Sequence, residues 1–217
     1  MPDCPAMTKR VLVVQSSPRR DGNSALLAAA AAEGARGGGH DVTVAHLDDH
    51  VREPLRDCRR CRDADGRCAI GDGYADLLLD GYLPADGIVF ATPLYWYGVS
   101  GQLKIFLDRM FCYIARSYPD ADRVVDGISA KTLGLLVASE ETYPGGSLAV
   151  VAEMQEFARY TRSTLVGSVR GIGNRRGDVR RDPADPLGGA RRLGRELFEV
   201  PYTDYRIDTD RPASTWP

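Results

Sequence analysis

The stretch Val11-Leu-Val-Val-Gln-Ser-Ser-Pro-Arg-Arg-Asp-Gly-Asn-Ser24 carries an apolar run into a polar, turn-rich loop and then into an alanine-rich segment. A buried strand opening through such a loop into a helix is the first unit of a parallel α/β fold. The helix start supplies free N–H groups and the positive end of the macrodipole, which favour an anion. Ser16, Ser17, Asn23 and Ser24 offer amides and hydroxyls to a phosphate there, and Arg19 adds a charge-assisted contact. The same residues also suit an ordinary strand-to-helix turn capped by Asn23 or Ser24.

A second unit of the same form lies at Gly87-Ile-Val-Phe-Ala-Thr-Pro-Leu-Tyr-Trp-Tyr-Gly-Val-Ser-Gly-Gln-Leu-Lys-Ile-Phe-Leu-Asp-Arg109. Leu103, Phe106, Leu107, Met110, Phe111 and Ile114 recur at the three-and-four spacing of one helix face, predicting a helix to about Ala115. The loop from Thr92 to Ser100 then sits at the carboxyl end of its strand, where open parallel sheets bind ligands. Its three consecutive aromatics, Tyr95, Trp96 and Tyr97, suit either core packing or the seat of a flat conjugated ring.

The remaining alternation predicts one α/β domain over residues 1–200. Strands are expected at Arg10–Val14, Asp41–Leu47, Gly87–Ala91, Thr132–Ala138 and Leu165–Ile172. Helices are expected at Ser24–Arg36, ended by Gly37-Gly-Gly39, at Ser147–Arg162, and from Pro186 to Glu199. Five strands in this rhythm make a doubly wound parallel sheet of order 2-1-3-4-5, with a switch point between strands one and three. The segment 201–217, with its prolines and aromatics, reads as an extended arm packed on its own domain or on a second subunit.

Two blocks resemble the flavodoxin-like family of NAD(P)H-dependent FMN reductases, including its iron–sulfur flavoprotein and quinone-reductase branches. Ser16-Ser-Pro-Arg-Arg-Asp-Gly-Asn-Ser24 is similar to the family's Gly-Ser-Pro-Arg-x-x-Gly-Asn-Thr, with Ser for Gly and Ser for Thr. Pro93-Leu-Tyr-Trp96, Ser100-Gly-Gln-Leu-Lys104 and Asp108-Arg109 follow the family's second block in order and separation. The resemblance implies that the first loop holds the FMN phosphate. It places Pro93, Leu94, Tyr95, Trp96, Tyr97 and Gly98 against the isoalloxazine and ribityl chain. In that fold a third loop, with Ser139, Glu140, Tyr143 and Gly145, borders the far edge of the ring or the substrate mouth. A mere connecting loop is the alternative there.

The implied activity is transfer of electrons from NADPH or NADH to a small-molecule acceptor: a quinone, an azo or nitro compound, a flavin or a biosynthetic intermediate. The flavin carries the chemistry in a ping-pong scheme, so no catalytic side chain is required. Backbone N–H groups near Tyr97, Gly98 or Gly145 are candidates to stabilise negative charge on the reduced ring. The family also implies a homodimer or homotetramer. A flavodoxin-like electron carrier is the rival reading, but a net charge of −2 gives little steering toward a basic partner.

Cys58, Cys61 and Cys68 fall where the iron–sulfur branch carries four cysteines, but Ala64 stands at one of those positions, leaving three thiols for a cluster that uses four. Reduced structural thiols are the expectation, and no metal is assigned. The histidines and serines form no nucleophile motif, which argues against a hydrolase. Only Lys9, Lys104 and Lys131 are lysines among 28 basic side chains, and the excess of arginine and alanine is read as nucleotide-composition bias. Arg175-Arg176 and Arg180-Arg181 form a basic patch that either meets a cofactor phosphate or is solvated. The charge balance gives no general attraction to nucleic acid, and no run reaches the roughly 18 to 20 apolar residues of a membrane span. The short N-terminal segment lacks a signal-peptide core, so a soluble cytoplasmic protein is expected.

Overall fold

The computed structural model describes residues 7–56, 68 and 70–199. Strands β1 (Arg10–Gln15), β2 (Asp41–His46), β3 (Gly87–Pro93), β4 (Thr132–Ser139) and β5 (Thr164–Ile172) run parallel in one sheet ordered β2-β1-β3-β4-β5. In chain order the helices are α1 (Asn23–Gly37), α2 (Leu47–His50), α3 (Tyr74–Asp76, continuing as a π-helical segment Leu77–Tyr82) and α4 (Gly101–Arg109). α5 (Phe111–Ile114), α6 (Ala121–Ile128), α7 (Leu148–Tyr160) and α8 (Pro186–Arg195) complete the set. This is the predicted flavodoxin-like order, and β1 pairs with both β2 and β3 at the switch point.

Strand pleating divides the core in two. Leu12, Val14, Ile88, Phe90 and Leu135 point to the side covered by α3 to α7, whereas Val11, Val13, Val89, Ala91 and Leu136 point to the side covered by α1 and α8. The two covering helices on the second side touch backbone to backbone. A Cβ added at Gly34 would overlap the Arg191 carbonyl, and one added at Gly194 would overlap the Ala31 carbonyl. Ala28, Ala31, Ala32 and Ala35 are all at most 1% exposed along that seam. The alanine excess therefore has a structural use in α1, beyond nucleotide bias: small residues let the helices approach closely enough to act as one plate.

The helix expected to run to Ala115 is broken. At Met110 the N–H turns to the Leu107 carbonyl, three residues back, and the tightened turn rotates the chain beyond it. Phe111 consequently leaves the apolar face and is 56% exposed. Leu47 begins α2 and does not end β2. The helical stretch Tyr74–Tyr82 and α6 were not expected; α6 buries only Val124 and Ile128, too few to register as a periodic face. The predicted arm 201–217, like Cys58 and Cys61, lies outside the described residues.

Candidate functional site

Buried hydroxyls lock the first two loops together at the switch point. The Ser16 N–H and Oγ both donate to the Ala91 carbonyl, at 2.9 and 3.0 Å. Ser100 Oγ donates to the Ser16 carbonyl at 3.1 Å and accepts from the Leu103 N–H at 3.3 Å, capping α4. The Ser100 N–H donates to Thr92 Oγ1 at 2.9 Å. Ser16 is thus a tie between β1 and β3, not a phosphate donor: its hydroxyl proton is engaged and the residue is 1% exposed. Thr92 and Ser100 were missed as individuals, although a serine just before Gly-Gln-Leu-Lys is a readable N-cap signal.

Above these ties lies a polar cleft of about 290 Å³. Ser17, Asn23, Ser24 and Arg19 line one side, Pro93, Leu94 and Tyr95 a second, and the turn 173–176 after β5 a third. Helix α1 begins behind an extended Gly22 and carries no side-chain cap, so the N–H groups of its first turn await an acceptor. Asn23 does not cap; its amide nitrogen donates to the Gly173 and Arg175 carbonyls at 2.9 and 3.1 Å, and its oxygen accepts from the Val179 N–H at 3.3 Å. It ties α1 to the turn after β5. Arg175 and Arg176 of the basic patch therefore face this cleft.

Leu94, Tyr95 and Glu140 also line an adjoining trough of about 540 Å³, together with Trp96, Tyr97, Ser139 and Glu141. Tyr95 and Gly98 exchange backbone hydrogen bonds at 3.1 and 3.0 Å, closing a two-residue hairpin turn. Trp96 and Tyr97 occupy its tip with φ of 49° and 61°. Positive φ at both central positions is the type I′ arrangement, which bulky side chains adopt only at a cost. Trp96 is 97% exposed, presenting an aromatic face to ligand-sized space. Across the trough, Tyr97 donates its hydroxyl to Glu141 Oε1 at 2.8 Å, and this bond raises the Tyr97 pKa. Ser139 Oγ accepts from the Glu141 N–H at 3.1 Å. Arg170 on β5 holds the same loop through the Tyr143 and Thr142 carbonyls, at 2.6 and 3.3 Å.

Of the residues expected to meet the ring, Tyr143 and Gly145 line neither cavity; the Tyr143 ring folds over Gly145 where a Cβ would otherwise stand. Gly98 shapes the turn from below, and its N–H is committed to the Tyr95 carbonyl, which removes it as a donor to the reduced ring. A polar, cationic cleft continuous with a flat aromatic trough fits a molecule with a phosphate at one end and a planar ring at the other. A model for NADPH-dependent FMN reductase matches residues 9–174. The chain belongs to the NADPH-dependent FMN reductase family.

As a member of that family it is an FMN-dependent NAD(P)H oxidoreductase. It is 28% identical over 185 residues to the Bacillus subtilis protein YwqN, by name an NAD(P)H-dependent FMN-containing oxidoreductase, with 85% of this chain and 96% of that one covered. It is 30% identical over 199 residues to iron–sulfur flavoprotein MJ1083 of Methanocaldococcus jannaschii, covering 88% and 96%. Among solved structures, NAD(P)H:quinone oxidoreductase from Methanothermobacter marburgensis superposes with a TM-score of 0.62 at 19% identity, over 92% of this chain and all of that one, a likeness of fold. Among the described residues no cluster of three metal-binding side chains occurs. Cys68 stands 3.9 Å from an Arg109 guanidinium nitrogen.

Proposed function

We propose that this FMN reductase passes electrons from NAD(P)H to a small planar acceptor, the two substrates using one aromatic trough in turn. The observation that carries this reading is the continuity of the cationic cleft with that trough through Leu94, Tyr95 and Glu140, at the switch point of the sheet. Bound FMN supplies the hydride-accepting and electron-donating chemistry. The protein binds, orients and shields. Ser17, Ser24 and Arg19, with the uncapped N-terminus of α1, hold the phosphate. Leu94 and Tyr95 support the ribityl chain and ring, and the exposed Trp96 and Tyr97 side chains form a stacking shelf for the incoming ring. Ser139, Glu140 and Glu141 border the opposite wall. Quinones, azo and nitro compounds, free flavins and a biosynthetic intermediate are the acceptor classes such an open trough admits.

Self-association belongs to the same proposal. Phe111 and Tyr160, 56% and 64% exposed, border an apolar groove of about 160 Å³ beside α4 and α7, a surface suited to a second copy.

The deciding experiment is anaerobic titration of the FMN-loaded protein with NADPH and then NADH, followed by addition of each acceptor class. Bleaching of the flavin bands by a nicotinamide and their return with an acceptor is the expected result, with parallel lines in double-reciprocal plots. Bound flavin that resists both nicotinamides would assign an electron carrier instead.

A further inference from the structure

We propose that Arg175, in the turn after β5, is a second cation for the FMN phosphate and sets the chain's preference for FMN over an uncharged flavin. The proposal rests on the phosphate occupying the polar cleft.

The turn is held in place. Asn23, the first residue of α1, bonds the Gly173 and Arg175 carbonyls and the Val179 N–H. Gly173 permits that approach, since a Cβ there would lie 2.8 Å from Asn23 Nδ2 and 2.7 Å from the Val179 nitrogen. The Arg175 N–H is fixed in turn by Asp178 Oδ2 at 2.8 Å. The backbone at Arg175 is therefore positioned from both sides, and the residue lines the cleft.

The pattern of neutralisation singles this residue out. Arg176 is paired with Asp21 at 3.0 Å, and Arg181 with Asp178 at 3.6 Å. Among the described residues neither the Arg19 nor the Arg175 guanidinium is in an ion pair, and both line the cleft. Glu140, the carboxylate that also lines it, belongs to the opposite loop, where cleft and trough meet. A phosphate monoester carries about −1.5 to −2 charges at neutral pH, which two guanidiniums match. The planar fork of arginine also suits a phosphate face better than a point charge does.

The test compares flavins by fluorescence titration of the apoprotein, with FMN and with riboflavin, for wild type, Arg175→Gln and Arg175→Lys. Wild type binding FMN much more tightly than riboflavin is the result that the phosphate-cleft reading requires. Given that, R175Q is expected to weaken FMN about tenfold while leaving riboflavin unchanged, and R175K, a point charge without the fork, to restore only part of the loss. Raising salt should narrow the FMN-to-riboflavin ratio of wild type more than that of R175Q. Equal weakening of both flavins by R175Q would make Arg175 a loop-shaping residue, and no change in either would place it in solvent; each result overturns the inference while leaving the cofactor assignment intact. Wild type with no preference for FMN would instead overturn the phosphate-cleft reading and the inference with it.

Discussion

Arg109 shows how much one buried ion pair contributes where the other ion pairs among the described residues lie at the surface. Its guanidinium, 1% exposed, makes two hydrogen bonds to the Asp72 carboxylate at 2.6 and 2.9 Å and lies 4.2 Å from the centre of the Tyr74 ring. Burial pushes the Asp72 pKa up, but the Arg109 guanidinium and the N–H groups of Arg52 and Tyr74 outweigh it, and the carboxyl ends below its ordinary value. A lowered folded-state pKa means stability that is complete above the unfolded value of about 3.9 and is lost as pH falls through the folded one. Asp72→Asn leaves a buried cation without its counter-charge and should destabilise the fold by about 3–5 kcal/mol at pH 7. Urea unfolding at pH 7 and pH 3 checks both points: the gap between wild type and variant should shrink on the acid side. An unchanged gap would show that Asp72 is not the group that titrates. The Asp-Arg sequence was legible as part of a motif. Its partner was not, because Asp72 lies 37 residues away in a segment with no periodic signal.

At the scale of elements, the aromatic hairpin turn is built against local preference. Two bulky residues hold positive φ where Asn-Gly is the favoured pair. Replacing Trp96→Asn together with Tyr97→Gly should relieve that strain and raise Tm by about 4 °C or more, while cutting kcat/KM by at least about tenfold through loss of the stacking shelf. A variant that is no more stable would mean the turn is unstrained; one that keeps full activity would remove the shelf from the proposed function. Ser100→Ala tests the tie between loops. Loss of the α4 cap and of the bond to the Ser16 carbonyl should cost about 1–2 kcal/mol, measurable by denaturant unfolding. The order of strands and both ligand loops were readable because apolar runs ending in turn residues repeat along the chain. The chemistry of individual loop residues was less so. Asn23 and Ser16 have the residue types of phosphate ligands, yet both are engaged with backbone groups 75 or more positions away, a pairing that only the closed sheet creates. The break at Met110 was hidden for a related reason: the apolar spacing continues across it, and only tertiary packing ends the face.

For the whole molecule, the sheet separates two kinds of wall. One side of the site is carried by the start of α1 and the turn after β5; the other by loops leading to α4 and α7. Cofactor binding should therefore couple to global stability. FMN at a hundred times its Kd adds about 2.7 kcal/mol, and should raise Tm by roughly 5–10 °C, with riboflavin at equal concentration adding much less. Thermal scans across a flavin series check this, and a Tm indifferent to FMN would contradict binding to the folded state. No helix among the described residues is long and apolar enough to cross a membrane.

The backbone contact between α1 and α8 has a kinetic meaning. With Gly34 against Arg191 and Gly194 against Ala31, the helix that begins at the polar cleft and the one that succeeds its far wall slide as a single body, so the cleft cannot readily gape. The trough is bridged by one exposed tyrosine–glutamate hydrogen bond, which breaks and reforms on the timescale of side-chain motion. Residence times should divide accordingly: a prosthetic group that stays through many turnovers, beside a berth that empties after each one.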